Sequence, residues 1–465
     1  MSNVRDFGAV GDGNTDDSAA VEHALRDGDG VLEFPRGDYL ITRPIEIPLD
    51  KVDRTAIDGL GGGARLLMAG AGPALHLIGT HGGTADPKSV ADGVWQRQRM
   101  PTVRHIEIEG RHEQATGVLL EGVMQPTLEC VLLRRLWDGV RLTGRNRNVI
   151  ITHCHIYHNR HVGVFLDHVN LHQAIISASH ISYNPVAGVR IEGSEIRNLQ
   201  ITGNDIEYNY AADVPDSADV VIDCSEEKSS VREGTICSNT IQARYSPGGA
   251  NVRLIGFDAE QNHKAGLFTV TGNLIGSQET NMHLKACRGV VVTGNVIYSG
   301  HDRNLCIDGS RNIVVGPNSF DHNPDYRQHE LCTGIRIVDS VDVQLTGSSI
   351  QDAQAGRTTL PGAKTFPRQG LLELFRSRRI GIDGCQVLDA APFGIFAEDC
   401  SDVLISGCTV SDHRQEPLLR SGIRFQGTGR GNFIVACRLG QAADDPLSLA
   451  ETAGVTQQAN LIDPS

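Results

Sequence analysis

Two sets of polar side chains recur at a spacing of 25 residues in the middle of the chain. Their members are His155, His180 and Asp205 in one set, and Tyr157, Ser182 and Glu207 in the other. Two carboxyl groups held close together can divide the work of acid and base, because repulsion keeps one of them protonated. Histidine adds a group that exchanges protons near neutral pH. If the fold brings these residues together, they can transfer protons to and from a substrate.

The spacing belongs to a repeat that runs through most of the chain. Each rung has a central apolar residue, and successive centres are 22 to 37 residues apart. The predicted centres are Leu132, Ile156, Ile181, Ile206, Ile241, Ile275, Ile297, Phe320, Ile350, Val387, Val410 and Leu439. Three segments of alternating apolar residues make up each rung, as expected for strands with one buried face. The sequence therefore predicts an all-β, single-stranded right-handed parallel β-helix, with three short strands per coil and about a dozen coils.

Two further columns support this alignment. Three residues after the centre stand Asn159, Asn184 and Asn209, which can hydrogen-bond from coil to coil at an inner turn. Two residues before the centre the side chains are small. This position takes five of the 11 cysteines, namely Cys130, Cys154, Cys385, Cys408 and Cys437. We therefore expect these cysteines to fill a tight corner, and their irregular spacing argues against a full disulfide framework.

The alignment predicts which side chains face outward. If the central isoleucines point into the core, the residues on either side point out, and strands about 4.8 Å apart bring successive coils into contact. We predict Asp205 and Glu207 as the catalytic carboxyl pair. His155 and His180 are predicted as positioning or proton-transfer partners, and Tyr157 as a substrate contact.

The third strand of each rung carries a second acidic column. Asp167, Glu192 and Asp223 align outward, with Arg190 beside them, and form a second set of catalytic candidates. Their stacking is expected to raise at least one carboxyl pKa. Arg190 is assigned to substrate binding.

Long insertions fall between the second and third strands and so share one corner. They are residues 210–218, 243–250, 321–333, 351–369 and 411–421. Such loops can wall a groove for an extended ligand. Asp321, His322 and Arg327 in one of these loops are predicted to bind substrate, and Trp95, in segment 79–101, to stack on a sugar ring.

The first 45 residues have a different pattern. Glycine turns precede a cap at Thr15 or Asp16 and a short amphipathic helix to about Leu25, and Asp12, Asp16 and Asp17 are interpreted as turn and cap residues. We predict a cap over 1–45 that covers the open end of one continuous β-helix over 46–465.

This N-terminal segment resembles the opening of the pectate-lyase-like superfamily of right-handed parallel β-helix proteins. The matching residues are Asp6, Phe7, Gly8, Ala9, Gly11, Asp12, Gly13, Thr15, Asp16, Asp17, Ala19, Phe34, Pro35, Gly37 and Tyr39. The superfamily includes pectate and alginate lyases, mannuronan epimerases, polygalacturonase-like hydrolases and phage tailspikes. The resemblance therefore implies a polysaccharide-acting β-helix and leaves the reaction open. The NTD, DD and RIK motifs of the hydrolases and the DPHD-type motif of the epimerases are not evident.

Three functions remain open. The first is a carbohydrate-active enzyme that cleaves glycosidic bonds by carboxylate acid/base catalysis, as glycoside hydrolases do. The second is a polysaccharide lyase or epimerase acting on uronic acids, with His or Tyr as base and with Arg or a cation such as calcium neutralising the substrate carboxylate. The third is a non-enzymatic fibre or glycan-binding protein. No cofactor is firmly implied, and no metal ligand is assigned.

Composition argues against nucleic-acid and membrane partners, whereas a polysaccharide or oligosaccharide substrate is what the resemblance implies. The net charge is -14 and no basic cluster stands out, which argues against nucleic acid. No apolar run is long enough to span a membrane. The first ten residues lack an apolar signal region, which predicts a cytoplasmic protein or a chain without its leader. Apolar outward positions on the first strand, at Ile150, Ile175 and Val291, predict burial by a loop or in a homotrimer.

Overall fold

Short parallel strands make up most of the computed structural model, which describes residues 2–258, 260, 262–325, 334–352 and 368–463. They form three sheets to which each coil adds one strand. Contact density divides the chain into two compact units, Met1–Thr240 and Ile241–Ser465. The predicted boundary between a cap over 1–45 and a β-helix over 46–465 stays a prediction.

The strand bounds follow the order of the coils. The first strands are Ser2–Asn3, Val31–Glu33, Ala56–Asp58, Thr102–Arg104, Thr127–Glu129, Arg145–Thr152, Asn170–Ser177, Glu195–Thr202 and Ser230–Cys237 in one unit, and Ala265–Thr271, Cys287–Thr293, Arg311–Val315, Val341–Thr346, Arg378–Asp383, Ser401–Ser406, Asn432–Val435 and Val455–Gln458 in the other. The second strands are Asp12–Asp16, Gly37–Ile41, Ala64–Met68, Ile106–Gly110, Leu132–Arg134, His155–Tyr157, His180–Ser182, Asp205–Glu207, Thr240–Gln242, Leu274–Gly276, Val296–Tyr298, Ser319–Asp321, Ser349–Gln351, Gln386–Leu388, Thr409–Ser411, Arg438–Leu439 and Leu461–Ile462. The third strands are Ile45–Pro48, Gly72–Ile78, Ala115–Glu121, Val140–Thr143, Val162–Asp167, Ala187–Glu192 and Ala218–Asp223, then Ala250–Ile255, Thr280–Lys285, Arg303–Asp308, Ile335–Val338, Gly370–Phe375, Phe393–Glu398, Ser421–Gln426 and Leu447–Leu449.

Helical segments are short and few in the described chain. The α-helices are Ser18–Asp27 and Leu49–Val52, and the remaining turns of helix are Val4–Phe7, Pro87–Ser89, Val94–Gln98, Asn262–Lys264 and Glu451–Ala453. None of the described helices is long and apolar enough to cross a membrane.

Parallel pairing confirms the predicted rung. Ile156, Ile181 and Ile206 pair in register along the second strands and are fully buried, as their alternation requires. Together with this buried apolar column, the three sheets define the predicted right-handed parallel β-helix.

One predicted rung was misplaced by a residue. Leu133, not Leu132, pairs with Ile156 and is buried, so Leu132 faces outward. The same shift removes Cys130 from the small-residue column, and Cys130 is exposed. The other four cysteines assigned to that corner are buried, as predicted.

Buried asparagines link the coils as the sequence predicted. The Asn159 side-chain amide donates to Asn184 over 2.9 Å, and Asn184 donates to Asn209 over 2.8 Å. Asn209 ends the ladder by donating to the Asp219 carboxylate over 3.0 Å. Each acceptor oxygen also accepts a hydrogen bond from a backbone N–H of the preceding coil. The ladder therefore provides partners for N–H groups that would otherwise be buried without a hydrogen bond.

The N-terminal acids are turn residues, as interpreted, although the helix begins later than predicted. Asp17 occupies the cap position of Ser18–Asp27, and its carboxylate accepts from the backbone of Val10 and Gly11 rather than from the helix. Asp16 accepts from the Ser18 backbone, and Asp12 holds the turn before Thr15. The helix also extends past Leu25.

The insertions share one corner of the coil as predicted. Residues 210–218, 243–250 and 411–421 lie between second and third strands, as do the described parts of 321–333 and 351–369. Residues 326–333 and 353–367 lie outside the described part of the chain. On the first strands Ile150 is 37% exposed, while Ile175 and Val291 are half-buried. The homotrimer stays a prediction.

Replacing Asn184 with alanine should destabilise the fold. The change leaves the Asn159 donors without an acceptor in the core, which costs roughly 2–3 kcal/mol of unfolding free energy. Urea unfolding followed by circular dichroism measures the effect. Gln200→Ala, which removes an exposed amide, is the control. A midpoint shift no larger than that of the control would mean that the ladder does not stabilise the fold.

Candidate functional site

The second strands place the predicted catalytic residues in two adjacent outward columns. His155, His180 and Asp205 pair directly, and so do Tyr157, Ser182 and Glu207. Upstream the first column continues through Leu132 and Glu107, and the second through Arg134 and Glu109. We call these two columns, from residue 107 to residue 207, the polar strip.

The two histidines and the aspartate of the strip contact one another from one coil to the next. The imidazole centroids of His155 and His180 are 5.1 Å apart, and His180 Nδ1 lies 3.5 Å from Asp205 Oδ2. The side chains of His180 and Asp205 are 60% and 41% exposed, so a ligand can reach both. Burial and the neighbouring His180 lower the pKa of His155, which leaves its imidazole neutral at pH 7 and able to accept a proton.

Glu207 is the carboxyl group whose protonation the site favours. Burial raises the pKa of Glu207, and the charge of Asp205 and a hydrogen bond between the two carboxyl groups raise it further, while His180 opposes the shift. Because the two residues stand two apart on one strand, their side chains leave the sheet on the same face. The pair therefore places the carboxyl group of Glu207, whose pKa is raised, beside a second carboxyl group.

Arginines at the other end of the strip escaped the sequence analysis. The Glu109 side chain is fully buried and is contacted by four guanidinium groups, those of Arg65, Arg111, Arg134 and Arg135. Arg134 stands next to Tyr157 in its column and interacts with it electrostatically. The misplaced rung hid this neighbour, because only the register centred on Leu133 brings Arg134 into line with Tyr157.

Exposed aromatic rings border the strip at the corner that follows it. His158 and Tyr183 stack at 4.8 Å, and Tyr183 and Tyr208 stack at 5.6 Å. Tyr183 is 50% exposed. All three residues have left-handed backbone with φ of 53° to 56°. We call them the aromatic edge. A sequence signal existed, since each residue directly precedes an asparagine of the buried ladder.

The second acidic column is aligned as predicted, but its electrostatics differ from expectation. Asp167, Glu192 and Asp223 pair in register. Burial opposes ionisation of Asp167, but hydrogen bonds from His168 and Arg141 outweigh it and lower the pKa of Asp167. Asp167 is therefore not a carboxyl group whose pKa rises in this column, because neighbouring cations offset the repulsion from the stacked acids.

The remaining members of that column are also held by neighbours. Glu192 accepts from Arg190 over 2.8 Å, and Asp223 accepts from the Ser225 backbone over 2.8 Å. The Arg190 guanidinium lies 6.0 Å from the Phe165 ring centre. Their catalytic and binding roles stay predictions.

The acidic column of Asp167, Glu192 and Asp223 does not fit a calcium ion. Calcium requires six to eight oxygen ligands in one cluster. The carboxylates of Asp167 and Glu192 are already bound by arginine or histidine. Within the described ranges, no group of three or more histidine, cysteine or acidic side chains is arranged to hold a metal ion.

Trp95, Asp321 and His322 each have contacts of their own. Trp95 is partly buried and packs against Val90, Val94 and Met124. This packing explains the tryptophan as a structural residue. Its predicted contact with a sugar ring stays a prediction. Asp321 and His322 belong to the unit Ile241–Ser465, where His322 Nδ1 lies 2.9 Å from the Asp321 carboxylate. Burial opposes ionisation of Asp321, but His322 lowers the pKa of Asp321 overall. Arg327 lies outside the described residues.

The strip can perform proton transfer on a substrate lying across it. Glu207, whose carboxyl pKa is raised, and His155, whose imidazole pKa is lowered, lie two coils apart, about 9.6 Å along the stack. Between Tyr157 and Glu207 in their column stands the smaller side chain of Ser182. The strip therefore carries a candidate acid and a candidate base on one outward face.

Comparisons with known proteins agree with the fold. Residues 1–62 match the family model described as rhamnogalacturonase A/epimerase, pectate lyase-like, and residues 92–256 match that of the right-handed β-helix region. The resemblance of the N-terminal segment to the pectate-lyase-like superfamily is thereby confirmed. A 56-residue stretch is 45% identical to the non-secreted LysM effector LysM19 of Penicillium expansum, and it covers 9% of this chain and 4% of that protein.

Solved structures resemble the chain at low identity. The tailspike gp49 of Pseudomonas phage LKA1 has 13% identity and a TM-score of 0.47, over 98% of this chain and 84% of that one. The Dettilon tailspike gp208 has 13% identity and a TM-score of 0.46, over 74% of this chain and 64% of that one. The A-module of the mannuronan C-5 epimerase AlgE6 of Azotobacter vinelandii has 14% identity and a TM-score of 0.34, over 100% of both chains.

Glu207→Gln should change the pH dependence of stability. Because the pKa of Glu207 is raised in the folded state, its protonated form stabilises the fold below the ordinary carboxyl pKa, and this contribution is lost as the pH rises through the folded pKa. Glutamine stays neutral throughout. Relative to the wild type, the variant should therefore become more stable as the pH rises from the ordinary carboxyl pKa, about 4.3, through the raised folded pKa.

Thermal unfolding of both proteins across this pH range measures the difference in Tm. Glu46→Gln, which neutralises an exposed carboxylate on a third strand, is the control. A Tm difference for Glu207→Gln that does not vary with pH would show that Glu207 ionises like an ordinary carboxyl group.

Proposed function

We propose that the protein is a carbohydrate-active enzyme that cleaves glycosidic bonds of a polysaccharide or oligosaccharide, with Glu207 as the general acid. The raised pKa of Glu207 beside Asp205 is the observation that carries this proposal. Cleavage of a glycosidic bond needs a proton on the leaving oxygen, and a carboxyl group whose pKa is raised is better suited to supply it.

The shape and chemistry of the strip favour an extended sugar chain. The two polar columns run along the stack of coils, and the aromatic edge follows them over three successive coils. Aromatic rings offer apolar faces to sugar rings, and the Tyr183 ring is exposed enough to make such a contact. The matched family model is described in terms of a rhamnogalacturonase and an epimerase, which are activities on sugar polymers.

Hydrolysis is the first form of this chemistry. Glu207 protonates the leaving oxygen while the ionised Asp205 attacks the sugar or activates water. The two carboxyl groups of a glycosidase are about 5–9.5 Å apart, whereas Asp205 and Glu207 share a hydrogen bond. A substrate must therefore separate them, and the half-exposed Asp205 can turn towards His180 when it does.

Elimination or epimerisation of a uronic acid is the second candidate, and the Arg134–Tyr157 neighbourhood favours it. Tyr157 stands between this arginine and Ser182 in their column. In elimination, the deprotonated oxygen of Tyr157 takes the proton from the carbon beside the uronate carboxylate, the electron pair left on that carbon expels the leaving oxygen as the carbon–oxygen bond breaks, and Glu207 protonates that oxygen. The arginine cluster, with four guanidinium groups against the carboxylates of Asp38, Glu107 and Glu109, would draw the uronate towards that end.

A panel of polysaccharides, read for reducing ends and for the near-ultraviolet absorbance of unsaturated sugars, tests the proposal. Glu207→Gln and Asp205→Asn should each lower the rate by about 100-fold or more, because each removes a proton-transferring group. Tyr157→Phe should abolish elimination and leave hydrolysis largely intact. Glu46→Gln, on a different sheet, is the matched control and should keep full activity.

Each other outcome has a clear meaning. Full activity in both Glu207→Gln and Asp205→Asn would remove the strip as the catalytic site. Turnover on none of the polysaccharides, combined with a stable homotrimer, would instead favour a glycan-binding fibre.

A further inference from the structure

A cavity of about 350 Å³ opens on the outward face of the third strands, away from the polar strip. It is lined by side chains from the strands Gly72–Ile78, Ala115–Glu121 and Val140–Thr143 and from the turns before them. Its volume falls within the range of small-ligand sites, about 300–1,000 Å³. No residue of the strip or of the acidic column lines it.

Trp137 forms one wall of this cavity and is fixed in place. Its indole stacks on the His161 imidazole with centroids 4.8 Å apart and planes 12° apart. His161 Nδ1 in turn lies 2.8 Å from the carboxylate of Asp138, which is fully buried. Trp137 is nevertheless 41% exposed, so part of its indole is open to solvent. A preorganised aromatic face is thus presented to the cavity.

Polar groups complete the rim. Thr116 contributes a hydroxyl, Gln114 an exposed amide and Arg141 a guanidinium, while Pro73 and Leu119 supply apolar surface. A ligand that fits must therefore offer one apolar face to the indole and several hydroxyl groups to the rim. A pyranose ring has that pattern, with axial C–H groups on its faces and hydroxyls at its edge.

The charge around the cavity selects an uncharged ligand. Arg141 Nε donates to Asp167 over 3.0 Å, and the guanidinium lies 5.6 Å from the Phe165 ring centre. Its charge is thus already neutralised, although its remaining N–H groups can still donate to a hydroxyl. A phosphate or uronate would find no uncompensated cation at this rim.

We propose that this cavity is a carbohydrate-binding site for an uncharged pyranose, distinct from the site of bond cleavage. The turn from Tyr157 to Val162 carries both His158 of the aromatic edge and His161 behind Trp137, so the two surfaces adjoin at one corner. The site holds a sugar chain against the protein whether or not that chain is being cleaved.

Tryptophan fluorescence reports directly on this site. The chain has two tryptophans, so Trp95→Phe leaves Trp137 as the sole emitter. Adding Glu207→Gln prevents turnover during the titration. Linear hexasaccharides of α-1,4-glucan, β-1,3-glucan and β-1,4-mannan serve as uncharged probes, and hexagalacturonate serves as the charged one. At least one uncharged probe should give a saturable change in emission.

Thr116→Val in the same background removes one rim hydroxyl without changing the side-chain shape, and should weaken binding about fivefold, the effect of one neutral hydrogen bond. Thr127→Val, on an outward position of a first strand, is the matched control. If Trp95→Phe fails to fold, 5-fluorotryptophan in the unaltered sequence gives one fluorine resonance for each indole, and Trp137→Phe assigns them.

The proposal is overturned if no uncharged probe perturbs Trp137, if Thr116→Val binds as tightly as its control, or if only hexagalacturonate binds. Because the titration needs no turnover, failure here leaves the proposed cleavage untouched. Failure of the cleavage assay likewise leaves this binding site standing.

Discussion

Backbone pairing between successive coils is the interaction on which the rest of the structure depends. It places residues 25 positions apart next to each other, as with His155 and His180, and turns a long-range spacing in sequence into a contact. A slip of one residue would turn each of these side chains to the opposite face of its sheet. The buried ladder of Asn159, Asn184 and Asn209 opposes such a slip, because its amides meet only in this register. The buried asparagines thus hold in place the residues for which we propose a chemical role.

The sequence predicted the three strands per coil and the outward columns because period-two alternation is independent of loop length. It misplaced a rung where two leucines stand together, since Leu132 and Leu133 satisfy the alternation equally well in opposite registers. Only pairing with Ile156 chooses between them. This error also affected the predicted site, because in the wrong register Arg134 does not lie beside Tyr157.

Corner residues were harder to predict for a different reason. Alternation describes extended backbone, whereas His158, Tyr183 and Tyr208 have left-handed backbone that points their rings along the stack. Trp137 also lies in a turn between strands. Neither the aromatic edge nor the cavity wall can be predicted from the alternation of residues along a strand. Both were identified only from the structure.

The two acidic columns show that stacking alone does not decide protonation. In the third-strand column Arg141 and His168 bind Asp167, and these cations hold its carboxylate in the charged form despite burial. In the second-strand column Glu207 meets another carboxylate, Asp205, and the nearest histidine only partly offsets the repulsion. The pKa of the carboxyl group is therefore raised at Glu207 and lowered at Asp167, because Glu207 has another carboxyl group as its neighbour whereas Asp167 is held by Arg141 and His168. The small side chain of Ser182 adjoins Glu207 in its column, and on the proposed function a sugar ring would lie against this part of the strip.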